Sequence, residues 1–233
     1  AMSAGNHAQA VAWWAQKENV NATIVMPEHA PLSKVMKTKS LGAEVILKGR
    51  TLNESQTYVS ELVKNKKLTL IHPYDDPNVV IGQGTLGLEI MEDIKNLDLL
   101  VIPIGGGGLI SGISIVVKAL NPNIKIYGVQ TEKFPSMYNV LHKKSLNISG
   151  DTLADGIAVK MPGKITSEVI TDTVDSILLI DEFDLEKAIS SLFENERIVA
   201  EGAGAAGVAA IIKNKDIFSG KRVGTVICGG NID

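Results

Sequence analysis

The chain has 233 residues, of which 45% are hydrophobic and 21% charged, and its formal net charge at pH 7 is −3. This length is sufficient for one large domain or two smaller ones. The nearly balanced charge gives no electrostatic basis for binding nucleic acid or a membrane surface, so the composition favours a protein that acts on a small molecule.

The first third of the sequence alternates helical and extended patterns. The apolar spacing predicts a helix from Asn6 to about Glu18, strand Ala22–Met26, helix Leu32–Leu41, strand Ala43–Leu47, a helix from Leu52 to about Lys66, and strand Leu68–His72. Asn6 or the residues just before it are expected to cap the first helix. Repeated strand–helix units are typical of a parallel sheet. We place a domain boundary near residue 73, which gives a small α/β domain over residues 1–73 and a large one over residues 74–233.

The large domain continues the same alternation. The residues from Asp75 to Asn78 predict the capped start of a helix that reaches about Lys95. The later elements are strand Asp98–Ile104, helix Leu109–Leu120, strand Ile124–Gln130, strand Asp175–Ile180, helix Glu182–Arg197, helix Gly202–Lys213 and strand Val223–Cys228. Between Phe134 and Ile170 the pattern is less regular, and we assign no element there.

Four consecutive glycines, Gly105 to Gly108, lie between a predicted strand and a predicted helix. Glycines let a ligand approach the backbone and tolerate positive φ. At such a junction the N–H groups and the helix dipole favour an anion, most often phosphate. The loop lacks the Lys-Ser/Thr of a P-loop, and Ile110 and Ser111 stand where a dinucleotide fingerprint needs its third glycine. We predict a phosphate site of another type, and the alternative is a tight turn without a ligand.

Two other stretches match the dinucleotide fingerprint by letter. They are Gly82-x-Gly84-x-x-Gly87 and Gly202-x-Gly204-x-x-Gly207. The fingerprint has physical meaning only where a strand enters and a helix leaves. Each stretch lies in or just before a predicted helix, so we interpret its glycines as parts of close-packed helix faces. A nucleotide-binding oxidoreductase is kept as a weaker alternative.

Two features of the sequence bear on the compartment of the protein. Residues 99–117 form an uncharged run of 19 residues, which is close to the length of a membrane span. Pro103 and the four glycines interrupt the run, so we predict no membrane segment. The single cysteine, Cys228, excludes an internal disulfide and is typical of a reducing compartment, which predicts a cytoplasmic location.

Individual candidate residues allow more than one interpretation. His7 is either a general base or a hydrogen-bonding residue of a capping loop. The other histidines, His29, His72 and His142, have no partner at ligand spacing, so we predict no histidine metal site. Cys228 ends a predicted strand, where ligands of open α/β sheets bind, and is either a small core residue or part of a site.

Three motifs together resemble a known family. The sequence SAGNHAQ begins at Ser3, GGGG-Leu occupies residues 105–109, and C-GGN-I-D begins at Cys228. In this order and with α/β units between them, they resemble the pyridoxal-phosphate β-elimination enzymes, specifically the threonine/serine dehydratases. The resemblance covers essentially the whole chain. It implies two open, mostly parallel αβα-sandwich domains of the tryptophan-synthase-β-like fold, with pyridoxal 5'-phosphate as cofactor and threonine or serine as substrate.

The resemblance also implies roles for individual residues. The loop of Ser3, Ala4, Gly5, Asn6 and His7 would take the substrate carboxylate, and Asn6 would bond the cofactor's ring oxygen. The phosphate would lie against Gly105, Gly106, Gly107, Gly108 and Leu109. Cys228 stands where relatives often carry a serine facing the pyridine nitrogen, and Glu201 matches a carboxylate near the ring.

Three of these positions refine the expected chemistry. A thiol at the ring nitrogen does not hold the pyridine protonated as a carboxylate would, and the weaker electron sink favours rapid loss of the β-hydroxyl, giving a 2-keto acid and ammonia. The related serine racemases resemble this loop but carry a second serine as acid/base at the position of Ala4, so a dehydratase is favoured over a racemase. Some relatives bind a divalent cation through an acid after the strand that here ends near Gln130, and no metal is expected.

One expected part of the site is not in the sequence. In the family the Schiff-base lysine lies upstream of the position of Ser3, in a segment like S-F-K-x-R-G-A, and this chain has no residues there. We expect an N-terminally truncated chain that is inactive alone. Its open apolar face is expected to be covered by self-association, which predicts a homo-oligomer. The alternative is a non-catalytic degraded or regulatory homologue.

Overall fold

The computed structural model describes residues 1–50 and 52–232. The chain divides into two compact units, residues 1–73 and residues 74–232. No helix within the described residues combines the length and the apolar character needed to cross a bilayer.

The first unit is a small parallel α/β structure. Its elements are α1 (Asn6–Lys17), β1 (Thr23–Met26), α2 (Leu32–Ser40), β2 (Glu44–Leu47) and α3 (Leu52–Lys66). Strands β1 and β2 pair in parallel, with Thr23 opposite Glu44 and Met26 opposite Leu47. The helices bury small and branched side chains against this sheet, among them Ala8, Ala12, Ile24, Met26 and Val35. The predicted order of helices and strands up to Lys66 is confirmed.

The predicted strand Leu68–His72 is wrong. Residues 68–72 form no ladder with any described strand, and Leu68, Leu70 and Ile71 are 40%, 37% and 40% exposed. A strand requires a neighbour whose N–H and C=O groups complete its hydrogen bonds. The branched apolar residues of this segment satisfy the local pattern, but no described strand lies beside it to pair with.

The second unit is a larger parallel sheet covered by helices. Its elements are α4 (Pro77–Asp93), β3 (Leu99–Pro103), α5 (Gly108–Leu120), β4 (Lys125–Thr131), α6 (Ser136–His142), α7 (Lys164–Thr173), β5 (Ser176–Ile180), α8 (Glu182–Ser191), α9 (Gly202–Lys213), α10 (Lys215–Phe218) and β6 (Val223–Thr225). A 3-10 turn covers Asp155–Ile157, and a π-helical turn, Leu192–Glu196, follows α8. The sheet order is β5-β4-β3-β6, and every pair is parallel.

Strand β3 is buried on both faces. Leu99 and Val101 belong to the core cluster that contains Ala206 of α9, while Leu100 and Ile102 belong to the opposite cluster with Ile113 of α5. Successive side chains of a strand point to opposite faces, so this division follows directly from the pleat. The continuous apolar run of the sequence is therefore explained by helices on both sides of the sheet.

Two further expectations need correction. The segment Phe134–Ile170, for which no element is predicted, contains α6 and the start of α7; α6 has only 7 residues, too few to show a clear helical period. Strand β6 ends at Thr225 rather than at Cys228, because only Val223 to Thr225 pair with β3. Cys228 therefore lies in the loop after the strand.

The fingerprint-like glycines lie in helices, as interpreted from the sequence. A Cβ on Gly87 would come within 3.1 Å of the Ile113 Cα, and one on Gly207 would overlap the Thr225 hydroxyl. Helix α4 thus packs closely on α5, and α9 packs closely on the sheet. Gly82 differs, since nothing lies within 4 Å of a Cβ built there.

Candidate functional site

The glycine loop joins the central strand of the large sheet to a buried helix. Strand β3 ends at Pro103 and α5 begins at Gly108, with Gly107 as the N-cap at φ +98°. The predicted strand–loop–helix context is confirmed. We use the name phosphate loop for residues 105–109.

The N–H groups of the phosphate loop have no acceptor in the part of the protein that the structure describes. Within the described residues none of the N–H groups from Gly105 to Leu109 donates a hydrogen bond, although Gly106, Gly107 and Gly108 are buried. Buried backbone donors are nearly always paired in proteins. Several unpaired donors at the N-terminus of a 13-residue helix fit an anion.

The side of the loop that faces the protein is closely packed. A Cβ on Gly106 would overlap the ring of Tyr74, and one on Gly107 would lie 2.8 Å from the Thr166 Cβ. A Cβ on Gly108 would come within 3.1 Å of the Tyr74 Cα. The glycines are therefore required by their protein neighbours as well as by any ligand, a reason that the sequence alone did not provide.

Three carbonyl groups around the loop are engaged by the protein. The Thr166 hydroxyl donates to the Gly106 carbonyl at 2.7 Å, and the Gln130 side-chain amide donates to the Ile104 carbonyl at 3.3 Å. The N–H of Ser111 donates to the Gly107 carbonyl at 3.0 Å as the first bond of α5. The carbonyls of Gly106 and Gly107 are thus held by the protein, whereas the N–H groups of the loop have no partner among the described residues.

Cys228 and Glu201 meet at the loop that follows β6. The Glu201 carboxylate accepts a 3.0 Å hydrogen bond from the N–H of Asn231, and its backbone N–H donates to the Gly229 carbonyl at 3.1 Å. The Cys228 thiol lies 3.8 Å from the Ala203 carbonyl. Cys228 is exposed as a residue, but its surroundings partly desolvate the sulfur. This desolvation raises the pKa of the Cys228 thiol and the nearby negative charge of Glu201 adds to the rise, so the thiol stays protonated at neutral pH.

This second loop and the phosphate loop leave the sheet at the same edge. Strands β3 and β6 are parallel neighbours, and each loop follows the carboxyl end of its strand. Ligands of open α/β sheets bind at this edge. The sheet topology thus brings together residues that are more than a hundred positions apart in the sequence.

The loop from Ser3 to His7 lies at the start of α1 in the first unit. The helix N-cap is Gly5, the residue just before Asn6, so the expected position of the cap is confirmed, although no side chain caps the helix. Instead the Ser3 hydroxyl accepts a 3.2 Å hydrogen bond from the Gly5 N–H. Ala4 packs against the core of this unit.

His7 has a structural partner. Its Nε2 lies 3.1 Å from the Ile71 carbonyl, which can only accept, so Nε2 carries the proton of this hydrogen bond. Burial lowers the pKa of His7 despite that bond, and the charges of the chain's N-terminus and of His72 act in the same direction. The imidazole is therefore neutral at pH 7, which supports the hydrogen-bonding interpretation.

Gln130 lies near the end of β4, the strand after which some relatives were expected to carry a cation-binding acid. It is fully buried; its Oε1 accepts from the N–H groups of Met137 and Tyr138, both at 2.9 Å. Its Nε2 donates to the Ile104 carbonyl and to the Ser136 hydroxyl. A neutral amide with all of these protein partners does not fit a cation ligand. Among the described residues no group of three His, Cys, Asp or Glu side chains is placed to hold a metal.

The sequence analysis missed three residues of this region: Tyr74, Asp75 and Thr166. Tyr74 packs on Gly106, and its hydroxyl donates to the Met161 carbonyl at 3.1 Å. The signal for Asp75 was present, since it belongs to a capping cluster, but the helix that it caps lies far along the chain. Thr166 lies in the segment for which no element was predicted.

Comparison with known proteins is consistent with this geometry. A family model described as "Pyridoxal-phosphate dependent enzyme" matches residues 1–229. An L-threonine ammonia-lyase of Thermotoga maritima is 49% identical over 235 residues, which cover 100% of this chain and 58% of that protein. The chain thus spans little more than half the length of this relative.

Two solved structures extend the comparison. The processed form of threonine deaminase isoform 2 from Solanum lycopersicum has a TM-score of 0.93 and 37% identity over 100% of this chain and 65% of its own. A serine racemase from Dictyostelium discoideum has a TM-score of 0.90 and 35% identity, covering 99% and 75% of the two chains. The mostly parallel α/β fold expected from the resemblance is confirmed.

Proposed function

The chain belongs to the family of pyridoxal-phosphate-dependent enzymes, and we propose that its residues form part of the site of a threonine or serine ammonia-lyase. This activity converts the amino acid to a 2-keto acid and ammonia by loss of the β-hydroxyl. The names of the Thermotoga and tomato relatives support this reaction class. A role in amino-acid metabolism such as isoleucine biosynthesis would follow from it.

The observation that carries the proposal is the set of unpaired N–H groups in the phosphate loop. We assign the cofactor's phosphate to Gly105, Gly106, Gly107, Gly108 and Leu109, because their N–H groups lie at the positive end of α5 and the three middle glycines are buried. The neutral side chains around the loop, Tyr74, Thr166 and Gln130, place no negative charge against that phosphate.

When bound, pyridoxal phosphate would supply an electron sink for the electron pair that remains when the substrate's Cα loses its proton. Cys228 is assigned to the ring nitrogen. Its thiol is neutral and cannot hold the ring nitrogen protonated by charge, so it tunes the site toward rapid elimination rather than long storage of negative charge. Glu201 is assigned a supporting role, since its carboxylate holds the N–H of Asn231 in the same loop.

The loop from Ser3 to His7 is assigned to the substrate carboxylate. It precedes α1, and an added Cβ on Gly5 would meet nothing within 4 Å, so the backbone there is open to a ligand. Asn6 is exposed and is assigned to the cofactor's ring oxygen. His7 is assigned a structural role through its bond to the Ile71 carbonyl.

A serine racemase is the second candidate, favoured by the likeness to the Dictyostelium enzyme. Racemisation needs a proton carrier on each face of the substrate's Cα. The resemblance places one of these carriers at the position of Ala4, whose methyl side chain cannot transfer a proton. Ammonia-lyase activity is therefore the better supported proposal. No step is assigned to a divalent cation, because the Gln130 amide does not fit one.

Self-association and a cytoplasmic location are part of the proposal. Large apolar side chains are exposed on α1 and α4, with Trp14 at 53% and Ile81 at 70%. Such residues favour burial against a second copy of the chain. The single cysteine supports a reducing compartment.

A non-reacting ligand tests the proposed site directly. Reduced N-(5'-phosphopyridoxyl)-L-threonine carries the phosphate, the ring and the substrate carboxylate in one stable molecule. We expect the chain to bind it more tightly than the matching threoninol derivative, which lacks the carboxylate, and to show no comparable affinity for NADH. Equal binding of the two pyridoxyl compounds would contradict the role of the Ser3–His7 loop, and preference for NADH would favour the nucleotide alternative.

A labelling experiment tests turnover by the 233 residues themselves. The resemblance places the anchoring lysine outside them, so we expect pyridoxal phosphate to bind reversibly and 2-keto acid to form negligibly from threonine. The chain is incubated with the cofactor, reduced with borohydride and mapped by mass spectrometry. Stoichiometric labelling of one lysine together with steady ammonia release would contradict this expectation.

A further inference from the structure

We propose that Gln130 and Thr166 are positioning residues of the phosphate loop. Their side chains hold the Ile104 and Gly106 carbonyls on the protein side, which turns the N–H groups of Gly105 and Gly107 toward the anion. The inference rests on the proposed function, in which this loop holds the cofactor's phosphate. It adds two residues, neither of which belongs to the glycine motif.

The geometry at Thr166 is the simpler of the two. Its hydroxyl donates to the Gly106 carbonyl at 2.7 Å, and the side chain is fully buried. In a trans peptide the C=O of one residue and the N–H of the next point in opposite directions. Fixing the Gly106 carbonyl toward Thr166 therefore directs the Gly107 N–H away from α7.

Gln130 acts in the same way on the carbonyl of Ile104, two residues before Gly106. Its Nε2 donates to the Ile104 carbonyl at 3.3 Å, and the Ile104 N–H donates to the Val129 carbonyl at 2.8 Å. The N–H of Ile104 is thus held by the backbone of β4, and its C=O is held by the Gln130 side chain of the same strand. The Gly105 N–H, which follows the Ile104 carbonyl, is directed to the opposite side.

The orientation of the Gln130 amide is fixed by its other end. Its Oε1 accepts from two backbone N–H groups, those of Met137 and Tyr138, both at 2.9 Å. Only the oxygen can accept these bonds, so the NH₂ group must face Ile104 and Ser136. Ser136 in turn donates to the Val159 carbonyl at 2.7 Å, which completes a buried network.

This arrangement suggests variants that separate positioning from packing. Gln130→Glu keeps the two acceptor bonds to the start of α6 but replaces the donor to Ile104 with an acceptor. Thr166→Val keeps the shape of the side chain but removes its hydroxyl, and Thr166→Ser restores the hydroxyl. Thr171→Val is the matched control, because Thr171 lies on the exposed side of the same helix and its hydroxyl bonds only the Ser167 carbonyl.

The measurement compares the dissociation constants of pyridoxal phosphate and pyridoxal for each variant. The dissociation constant of pyridoxal divided by that of pyridoxal phosphate reports the contribution of the phosphate alone, whereas general loss of stability weakens the binding of both ligands together. We expect Thr166→Val and Gln130→Glu each to lower the ratio by about tenfold, as for loss of a well-oriented hydrogen bond to a charged group. Thr166→Ser and Thr171→Val should leave it within about twofold.

The outcomes distinguish this inference from the proposed function. If the parent chain binds both compounds equally, the loop holds no phosphate and both proposals fail. If the parent prefers pyridoxal phosphate but Thr166→Val and Gln130→Glu keep the same ratio, only the positioning inference is overturned.

Amide spectra of the parent chain decide the question if a variant does not fold. On titration with inorganic phosphate, the Gly105 and Gly107 amides should shift more than those of Gly150 and Gly220, which lie in other turns. No preferential shift at Gly105 and Gly107 would overturn the inference.

Discussion

The carboxylate of Asp75 accepts a 2.8 Å hydrogen bond from the backbone N–H of Ile165, 90 positions later in the chain. The N–H groups of Lys164 and Thr166 donate to the same carboxylate at 3.0 and 3.3 Å. Asp75 thus caps the N-terminus of α7. The N-cap residue of that helix is Gly163, which has no side chain to do so. Because α7 carries Thr166, this contact also holds the residue that bonds Gly106.

Replacing Asp75 by alanine should destabilise the second unit by about 2 kcal/mol, because three helix N–H groups lose their acceptor. Asp76→Ala is the control, since Asp76 caps α4 with one bond to the Asn78 N–H, and we expect it to cost about 1 kcal/mol. Urea unfolding of the three proteins gives the two differences. A smaller loss for Asp75→Ala than for Asp76→Ala would show that the long-range cap is unimportant.

Two glycine-to-alanine changes should have opposite effects on stability. Gly106→Ala would drive its methyl group into the Tyr74 ring, and we expect a loss of about 2–3 kcal/mol. Gly82 lies within α4, and nothing lies within 4 Å of a Cβ added there. For Gly82→Ala we therefore expect the free energy of unfolding to rise by up to about 1 kcal/mol from helix propensity. Thermal unfolding measures both, and a stable Gly106→Ala protein would disprove the close packing on Tyr74.

His7 should make the first unit sensitive to acid. Burial lowers the pKa of His7 in the folded chain, whereas the unfolded imidazole titrates near pH 6.5. Below that pH the unfolded state binds more protons, so the free energy of unfolding falls as the pH drops from 6.5 toward the folded pKa. Unfolding curves between pH 7.5 and 5.5 should show this loss in the parent and less of it in His7→Gln. The same pH dependence in both would contradict a lowered pKa for His7.

Cys228 should react slowly with thiol reagents. The residue is exposed, so its reactivity depends on ionisation rather than on access. Partial desolvation of the sulfur and then the charge of Glu201 raise the pKa of its thiol, so little thiolate is present at neutral pH. The rate of alkylation by iodoacetamide should keep rising above about pH 8.5, where an ordinary thiol is half ionised. Glu201→Gln keeps an acceptor for the Asn231 N–H and removes the charge, so its rate profile should move to lower pH. An unchanged profile would mean that Glu201 does not act on the thiol.

Local patterns predicted most of the fold. Branched residues from Leu99 to Ile102 and the helical stripe after Gly108 were sufficient for the central strand–loop–helix unit. The prediction failed at residues 68–72, because a strand depends on a neighbour that local sequence does not specify. It also failed between Phe134 and Ile170, where the helices are short and separated by irregular chain.

The residues of the candidate site also fall into two groups, those that local sequence predicted and those that it did not. The glycines of the phosphate loop and the Cys228 loop stood out because their composition is unusual over a few residues. Tyr74 and Thr166 did not, since each contacts the loop only through tertiary packing, with Thr166 lying 60 positions from Gly106. Single polar residues of this kind have no distinguishing pattern of their own in a sequence.

The central claim is that the N–H groups of Gly105 to Leu109 hold the phosphate of the cofactor. The most direct measurement is a crystal structure of the chain with N-(5'-phosphopyridoxyl)-L-threonine. We predict phosphate oxygens at about 2.7–3.2 Å from the backbone nitrogens of this loop, including those of Gly105 and Gly107, with the ring nitrogen facing the Cys228 thiol. An ordered phosphate loop without phosphate, and the ligand bound elsewhere on the chain, would contradict the account.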